Sequence, residues 1–371
     1  MEVYLFTLVL IFIFGFLELR LELSKSQKNW LIFFLYFTIV IQIGLRWETG
    51  SDWKSYLDNF QNTDDYNFVL FNSLFGFEIG YGTFVYVIKK IFDSYSFFLL
   101  IHALIFYFGI FRTTKKYSPY LFVSLLYFYA TNLGMVGSNR QLLAIVICLW
   151  GLDFVFERKL FKFLLVILVA SLFHTTAFLF GIYYFLNRNF KTVTVISFLF
   201  FSFIFGKTGL PFYVFTKFGG MFGELAASKT IVYSEVAKDV IAENSLSFFG
   251  LLKRLVFIAI FTYNFTFLSK KISYYKLLYN GYILGMAFYF LFASSLLILV
   301  NRGSLYFNVM ESLLISCQFL VFCNKLDKSY VFFVLLLISV VFLFQSIGAY
   351  PDLFNPYKGL FYNLDYKREM Y

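Results

Sequence analysis

Apolar segments long enough to cross a lipid bilayer recur along almost the whole chain. A spanning helix needs about 20 predominantly apolar residues. Hydrophobic residues make up 60% of the 371 residues and charged residues only 14%. These features exclude an ordinary soluble fold, a disordered chain and a nucleic-acid-binding module. The sequence therefore predicts an all-α polytopic integral membrane protein, with apolar runs at 3–19, 29–45, 95–111, 118–133, 142–156, 160–186, 192–206, 249–268, 277–299, 304–323 and 329–347.

The runs follow one another without a Pro- or Ser-rich linker, and the chain contains only 4 prolines. We therefore expect a single membrane-embedded domain, residues 1–371. Residues 46–94 are expected to form an external loop, in which the amphipathic stretch 81–92 lies on the membrane surface. Residues 207–248 mix Gly, Lys and Glu. They are expected to form a second external loop, a helical flap.

The run at 160–186 is longer than an ordinary span and carries polar residues at its centre. Because Ser171, His174 and Thr175 lie there, the run is either one tilted helix or a hairpin of two short helices. The positive-inside rule favours the hairpin, which gives about 12 spans (range about 10–12) and two external termini. In that topology 16 of the 31 Lys and Arg residues lie in short inner loops, at 20–28, 112–117, 157–162, 187–191, 269–276 and 324–328.

Four basic residues break the positive-inside rule in this topology. Arg46 follows the second run and Arg140 opens the fifth, while Arg302 and Lys358 fall at the same predicted external boundary. A single basic residue at a membrane boundary is more often a snorkelling anchor than a ligand. Several on the non-cytoplasmic face favour a phosphate or pyrophosphate site, because a guanidinium matches phosphate oxygens through a planar bidentate fork.

Asp52 and His174 are the two candidates for a general base. Asp52 follows Gly50, which permits a tight turn near the external boundary; the alternative is a loop-capping aspartate paired with an arginine. An ionisable residue within the membrane, such as His174, is a functional candidate by default; the alternative is a helix–helix hydrogen bond. Imidazoles accept protons near neutral pH, so we favour His174 as base and Asp52 as the residue that orients the acceptor. His102 is expected to be structural.

Cofactor and metal motifs are missing from the sequence. Cys148, Cys317 and Cys323 lie in apolar runs without CxxC spacing and are expected to be inert buried thiols. The sequence has no P-loop, GxSxG, HExxH or dinucleotide fingerprint. We expect no cofactor and no required metal, because arginines can neutralise the charge of a leaving phosphate.

Six short segments follow one another in a characteristic order. They are LRWETGSDW at 45–53 followed by Tyr56, FEIGY at 77–81, SNRQLLA at 138–144, SLFHTTA at 171–177, NRGSLYF at 301–307 and PYK at 356–358. Together they resemble the EpsG family of exopolysaccharide and O-antigen polymerases, the Wzy-like membrane proteins. One departure is Trp53, where the family often has tyrosine. The 207–248 segment matches nothing in the family pattern, so acceptor specificity is not carried over.

This resemblance implies a GT-C-like glycosyltransferase architecture and a reaction. A glycan on undecaprenyl pyrophosphate would be transferred to a lipid-linked oligosaccharide repeat unit, at the external face of the bacterial cytoplasmic (inner) membrane. The implied partners are that lipid-linked substrate, membrane lipids, and flippase and chain-length regulator proteins, with no nucleic acid. The implied catalytic residues are His174 and Asp52, and the implied substrate-binding residues are Arg46, Arg140, Gln141, Arg302, Tyr306, Tyr357 and Lys358.

Two rival functions stay open at the level of sequence. A flippase for lipid-linked oligosaccharides also needs buried arginines and many spans, but it should show polar residues through the full membrane depth and an inverted repeat. A membrane acyltransferase that modifies the polysaccharide would favour an essential His or Arg on the face where its acyl donor arrives, which is often cytoplasmic. The basic residues singled out above instead share one predicted external boundary.

Overall fold

The computed structural model describes residues 1–218, 248–296, 300, 302–348 and 350–368. Across these residues the chain is helical, and extended pairing is limited to isolated bridges that join Gly359 to Arg46 and to Tyr362. The helices coincide with the predicted apolar runs and add short ones between them. They are α1 Glu2–Arg20, α2 Lys25–Gly44, α3 Trp53–Asn62, α4 Tyr66–Ser73, α5 Ile79–Ile91, α6 Tyr95–Tyr117, α7 Leu121–Asn132, α8 Asn139–Phe156, α9 Leu160–Ser171, α10 Thr192–Gly206, α11 Leu210–Phe218, α12 Phe248–Tyr263, α13 Phe265–Lys271, α14 Tyr275–Phe292, α15 Leu305–Gln318 and α16 Lys325–Gly348, with 3-10 turns at Leu133–Met135, Thr175–Phe185 and Pro351–Leu353.

Four of the described helices are long and apolar enough to cross a membrane, namely α1, α6, α8 and α16. Two bent pairs, α10 with α11 and α12 with α13, raise the number to six if each pair forms one span. Their bends are 75° and 58°. The all-helical, polytopic class is confirmed, whereas a count of about 12 spans stays a prediction.

Polar side chains set where several of these helices begin. Ser24 and Gln27 form a reciprocal capping box at the start of α2, which satisfies two backbone N–H groups that a helix terminus otherwise leaves unpaired. Ser94 caps α6 by accepting from the Phe97 N–H. All but the last residue of the predicted amphipathic stretch at 81–92 lie in α5, which ends at Ile91. Its position on the membrane surface stays a prediction.

Contacts divide the chain into two compact units. In the first, α1, α7 and α16 pack against one another and α2 lies along α6. In the second, α10 packs along α14. Unit 1 comprises Met1–Gly151, Leu164–Ala177 and Ile315–Tyr371, and unit 2 comprises Leu152–Phe163 and Phe178–Leu314.

One end of unit 1, here called the basic end, gathers loops that the sequence predicts to be cytoplasmic. Lys28 pairs with Glu18 at 2.5 Å, and Lys325 pairs with Glu22 at 3.3 Å. Lys115 Nζ, near the end of α6, donates to Asn29 Oδ1 near the start of α2 at 3.2 Å. Three of the six predicted inner loops thus meet, as the positive-inside argument requires of them.

The opposite end of unit 1, here called the site end, gathers segments that the sequence predicts to be external. The N-terminal amino group donates to Asn355 Oδ1 at 2.7 Å. The Trp47 N–H donates to the Lys358 carbonyl at 2.9 Å, and Arg46 Nη2 donates to Asn139 Oδ1 at 3.0 Å. The N-terminus and the C-terminal segment therefore both lie at the site end, together with Arg46 and the beginning of α8.

The 160–186 run forms a hairpin, as predicted. Helix α9 ends at Ser171, and a 3-10 helix at Thr175–Phe185 follows after a short break. Arg158, just before α9, donates to the carbonyls of Tyr184 at 3.1 Å and Asn187 at 2.7 Å. The two arms therefore run antiparallel. A 3-10 helix of 11 residues is long for this type, which is usually found in short pieces.

The structure corrects the prediction for one cysteine and describes only part of the predicted flap. Cys148 and Cys317 are buried, as predicted, but Cys323 is exposed, because α15 ends at Gln318 and the chain leaves the packed interior there. The predicted flap at 207–248 begins with α11. Its residues 219–247 lie outside the described part of the chain.

Candidate active site

Glu78 joins three separate segments at the site end of unit 1. One carboxylate oxygen, Oε2, accepts from Arg140 Nη1 at 2.7 Å. The other, Oε1, accepts from the Thr175 N–H at 3.1 Å. The loop before α5, the first turn of α8 and the tip of the hairpin are therefore held by one carboxylate, and charge-assisted bonds of this kind are stronger than neutral ones.

Arg140 is fixed in place by aromatic rings as well as by Glu78. Its guanidinium lies 4.5 Å from the Phe77 ring centroid, and Nη1 also donates to the Gly76 carbonyl at 2.6 Å. Nε reaches the Tyr56 hydroxyl at a long 3.4 Å. Among the described residues, Nη2 makes no hydrogen bond, and the side chain keeps 16% of its surface exposed. Arg140 therefore retains a donor edge for an anion.

Asp52 reaches this region through a close contact between two glycine turns. Gly50 and Gly137 both have positive φ, at 100° and 115°, and a Cβ on either one would lie within 3 Å of the other's Cα. Only glycine fits such an approach, because the left-handed region is costly for other residues. The contact sets Asp52, the residue before α3, beside Tyr56 in the next turn. The Asp52 side chain is partly exposed.

His174 sits at the hairpin tip and is largely buried. The Thr176 backbone N–H donates to His174 Nδ1 at 3.3 Å, and Thr176 Oγ1 lies 2.7 Å from the same nitrogen. A backbone N–H only donates, so Nδ1 must carry the lone pair. The neutral imidazole therefore holds its proton on Nε2. In this tautomer Nε2 is a hydrogen-bond donor, and the lone pair of Nδ1 already accepts from Thr176.

Arg46 lies deeper than Arg140 at the same end. Its side chain is 2% exposed. Nη1 donates to the Ile43 carbonyl at 2.7 Å and Nη2 to Asn139 Oδ1, while Nε has no partner. No carboxylate pairs with Arg46 within the described ranges. His102 lies nearby, with Nε2 2.8 Å from the Asn139 carbonyl, which ties α6 to the start of α8 and agrees with a structural histidine.

Lys358 and Tyr357 close over this buried arginine from the C-terminal segment. Lys358 is 4% exposed. Its Nζ donates to Glu48 Oε2 at 2.5 Å and to the Tyr366 carbonyl at 2.6 Å. The Tyr357 hydroxyl donates to the Gln42 carbonyl at 2.7 Å. Both side chains are therefore engaged by protein groups.

Two clusters thus share the site end of unit 1. The Arg46 cluster is buried and consists of Arg46, Glu48, Asn139, Tyr357 and Lys358. The Arg140 cluster is partly exposed and consists of Tyr56, Glu78, Arg140, His174, Thr175 and Thr176. They are joined through the adjacent residues Asn139 and Arg140 at the beginning of α8.

A model of the EpsG family matches residues 29–359, which is nearly the whole chain. The chain belongs to the EpsG family. The resemblance drawn from the sequence is therefore confirmed, and EpsG-like proteins are Wzy-type polysaccharide polymerases of the membrane. No curated protein and no solved structure matches the chain.

The remaining predicted substrate residues are spread over both units. Gln141 follows Arg140 on α8 and is buried. Arg302 and Tyr306 belong to unit 2. Tyr306 is fully buried there, with its ring 6.5 Å from that of Phe180. Arg302 is partly exposed.

Glu78 lies in one of the EpsG-family segments but is not among the site residues predicted from the sequence. It lies in the FEIGY segment at 77–81, yet its pairing with Arg140, 62 positions away, has no local pattern. The usable signal was an acidic residue inside one of the family segments. Across the described residues, no group of three or more His, Cys, Asp or Glu side chains is arranged to hold a metal ion.

Proposed function

We propose that this EpsG-family chain transfers a growing glycan from undecaprenyl pyrophosphate to a lipid-linked oligosaccharide repeat unit. The transfer takes place at the external face of the bacterial cytoplasmic membrane. The chain has about 12 spans in a GT-C-like architecture, with both termini external. A flippase supplies the repeat unit, and a chain-length regulator acts on the product.

The observation that carries this proposal is the convergence of four family segments on the Arg140 cluster. Tyr56, Glu78, Arg140 and Thr175 come from four separate segments, and all four are linked by the contacts of Glu78 and Arg140. Folding therefore gathers the sequence features that mark the family. A cluster in which the arginine side chain is partly exposed suits a substrate whose reacting group is a pyrophosphate.

The reaction needs one nucleophile, one leaving group and one proton acceptor. The acceptor hydroxyl oxygen forms a bond to the anomeric carbon of the donor glycan as the bond from that carbon to the pyrophosphate oxygen breaks. The hydroxyl proton passes to a base, and undecaprenyl pyrophosphate leaves with the negative charge. Arg140 stabilises that charge through its open Nη2 edge, as preorganised donors do where charge develops.

We assign the base to Asp52 and give His174 the role of a hydrogen-bond donor. Basicity alone favours His174, but its Nδ1 lone pair faces the Thr176 N–H. A protonatable lone pair that is already engaged is a poor proton acceptor. Asp52 is partly exposed beside Tyr56, where an incoming hydroxyl can meet its carboxylate.

The other predicted substrate-binding residues shape or line the site and take no part in proton transfer. Arg46, Tyr357 and Lys358 form the wall beneath Arg140, and Gln141 extends it along α8. Arg302 and Tyr306, which belong to unit 2, keep the substrate-binding role that the family resemblance implies for them. No cofactor takes part in this scheme, and arginine charge serves where another enzyme would use a metal.

The test is polymerisation by the purified protein in liposomes with a defined lipid-linked repeat unit and no nucleotide sugar. A ladder of glycans that rises by one repeat unit per step is the expected product. Substrate that crosses the bilayer without elongation would instead establish a flippase. Transfer of an acyl group to the repeat unit would establish the acyltransferase.

Two variants test the proton acceptor in the same assay. Asp52→Asn keeps the size and the hydrogen-bonding capacity but is not basic, so elongation should fall at least about 100-fold. His174→Gln keeps a donor at the Nε2 position, and elongation should stay within about tenfold. Loss of activity in the Gln variant together with full activity in the Asn variant would return the base to His174.

A further inference from the structure

In unit 2, three helices bring ionisable side chains together inside apolar runs. Lys253 and Arg254 lie in the second turn of α12, Tyr282 and Tyr289 lie on α14, and Glu311 lies in the second turn of α15. These five residues are here called the unit 2 cluster. Lys253 Nζ pairs with Glu311 Oε1 at 3.2 Å, which ties α12 to α15. Ionisable residues within membrane spans are costly and commonly mark a path for a substrate or an ion.

Arg254 is held by two contacts that leave part of its guanidinium open. Its Cζ lies 3.7 Å from the Tyr289 ring centroid, and Nη1 donates to the Gly250 carbonyl at 2.8 Å. Arg254 makes no other hydrogen bond to the residues that the structure describes, and its side chain is only partly buried. Nε and Nη2 are therefore available to an anion, in the planar arrangement that matches phosphate oxygens.

Tyr282 supplies a second donor. Its side chain is 1% exposed, and its hydroxyl has no hydrogen-bond partner within the described part of the chain. Nearly all buried polar groups of native proteins are bonded to protein, to water or to a ligand. The hydroxyl lies within electrostatic range of both Arg254 and Glu311, so it points into the unit 2 cluster. An anion held by Arg254 would give this hydroxyl an acceptor.

The unit 2 cluster lies toward the predicted external side of its helices. In the predicted topology α12 and α15 both begin at that side. Arg254 and Glu311 each lie six residues beyond the first residue of their helix, which is about 9 Å at 1.5 Å per residue. The ion pair between α12 and α15 agrees with this shared depth. The two cations of α12 therefore break the positive-inside rule, as Arg140 does.

The surface beside Arg254 is apolar. Leu255 and Val256 directly follow it on α12, and both are exposed, as is Leu252 one half-turn earlier. A hydrocarbon chain attached to a phosphate at Arg254 would meet these side chains, and its contact with them would remove apolar area from water. The surroundings therefore favour a phosphate that carries a lipid over a free anion.

We propose that the unit 2 cluster binds the pyrophosphate of the lipid-linked acceptor. This role rests on the proposed transfer reaction, in which the donor loses its pyrophosphate and the acceptor keeps its own. Arg140 serves the pyrophosphate that leaves. The one that stays needs a separate cation, because two pyrophosphates at one arginine would repel each other. Arg254 donates through Nε and Nη2, Tyr282 donates through its hydroxyl, and the ion pair of Lys253 positions α12.

The first experiment measures binding without turnover, so its result does not depend on polymerisation. Undecaprenyl pyrophosphate is titrated into the full-length protein carrying Arg140→Gln, and the bound fraction is read by native mass spectrometry. Adding Arg254→Gln should weaken binding about tenfold. Lys207→Gln is the control, because Lys207 is an exposed cation of unit 2 that also lies over an aromatic ring. It should change the affinity less than about twofold, because exposed charges are screened.

Tyr282→Phe separates a binding role from a structural one. Removal of a buried hydroxyl that lacks a protein partner should not lower the unfolding temperature, whereas the affinity for undecaprenyl pyrophosphate should fall about threefold. Parental affinity in either Tyr282→Phe or Arg254→Gln would overturn the site. A lower unfolding temperature in Tyr282→Phe would make the hydroxyl structural, with the same consequence.

Two further probes identify the source of the phosphate. Phosphatidylglycerol and inorganic pyrophosphate are titrated into the same variants. Both should bind more weakly than undecaprenyl pyrophosphate and respond less to Arg254→Gln. An equal response of phosphatidylglycerol would make the cluster a general site for anionic lipids, and equal affinity for inorganic pyrophosphate would remove the role of the lipid chain. Either result would overturn the assignment to the acceptor.

The acceptor role has its own readout in the elongation assay. With the donor glycan in excess, Arg254→Gln should raise the KM for the lipid-linked repeat unit about tenfold and leave kcat within about twofold, because it removes binding that is equal in the ground and transition states. An unchanged KM would overturn the acceptor role. If the parent protein fails to elongate at all, the polymerase proposal fails, while the binding measured for Arg254 and Tyr282 still decides the phosphate site.

Discussion

The Arg46 and Arg140 clusters lie side by side at the same end of unit 1, and they treat their arginines differently. The Arg46 side chain is 2% exposed and, among the residues that the structure describes, donates only to a carbonyl and to an amide oxygen. Arg140 is 16% exposed, pairs with Glu78 and keeps Nη2 unbonded to described residues. From sequence the two arginines looked equivalent, as basic residues on the wrong side of the membrane. Burial separates them, because the Arg46 side chain is closed off from solvent and the Arg140 side chain is partly open to it.

The difference also follows from how each cluster satisfies its charges. In the Arg46 cluster, Lys358 is covered by Glu48 and the Tyr366 carbonyl, so its donors are used to join the C-terminal segment to the loop after α2. In the Arg140 cluster, Glu78 uses both oxygens to align Arg140 and the hairpin tip. The first arrangement stabilises the fold, and the second orients a charge toward open space. Each cluster contains one arginine, one glutamate and one tyrosine, so identical substitutions of these three residue types compare the clusters.

The largest difference should come from replacing each arginine by lysine. Arg140→Lys keeps the charge but loses the planar fork, so polymerisation should fall about 100-fold while the protein level in the membrane holds. The measurement is elongation rate per folded molecule. Arg158→Lys is a control, because Arg158 is exposed and its guanidinium donates to the backbone carbonyls of Tyr184 and Asn187. Normal elongation by Arg140→Lys would make Arg140 a snorkelling anchor.

Arg46→Lys should show the opposite pattern. A lysine ammonium cannot reach both the Ile43 carbonyl and Asn139 Oδ1, so buried acceptors lose their donor at a cost of about 1–3 kcal/mol. The expected result is a lower unfolding temperature in detergent, with elongation per folded molecule within about threefold of the parent. If elongation collapses in a variant that unfolds normally, Arg46 contacts substrate and the two clusters form one site.

A smaller effect is expected from replacing the two glutamates by glutamine. Glu78→Gln keeps an acceptor for the Thr175 N–H but loses the charge opposite Arg140, so elongation should fall about tenfold. Glu48→Gln makes the same change opposite Lys358 and should lower thermal stability without a matching loss of rate. The measurement is the loss of elongation rate relative to the loss of thermal stability, which should be large for Glu78→Gln and small for Glu48→Gln. Equal ratios would remove the distinction.

The helices and the hairpin could be predicted from the sequence, whereas the contacts within the two clusters could not. Apolar runs predicted the helices, and the charge distribution predicted both the hairpin at His174 and the shared end of unit 1, because helix length and loop charge are local properties. The pairing of Glu78 with Arg140 and the burial of Arg46 depend on tertiary packing between distant segments. The His174 tautomer depends on one backbone N–H, that of Thr176. No sequence pattern encodes that contact.

The smallest effect should come from removing one hydroxyl in each cluster. Tyr56 lies on α3, outside the candidate spans, and burial raises the pKa of its phenol, with Arg140 opposing that rise. The hydroxyl is therefore neutral at pH 7, and it accepts from the charged Arg140 Nε only at a long 3.4 Å. Tyr56→Phe should change elongation less than about threefold.

The raised pKa of Tyr56 also determines how its contribution depends on pH. A raised pKa means that the folded state keeps the phenol protonated after the unfolded chain has begun to ionise, so stability falls only as pH rises above about 10. Between pH 6 and 9 the rates of Tyr56→Phe and the parent, measured in the same liposomes, should therefore run parallel. Tyr357→Phe loses a buried 2.7 Å bond to the Gln42 carbonyl and should lower stability by about 1 kcal/mol. A pH-dependent gap for Tyr56→Phe would mean that this hydroxyl exchanges a proton during the reaction, which would give the Arg140 cluster a second acid–base group.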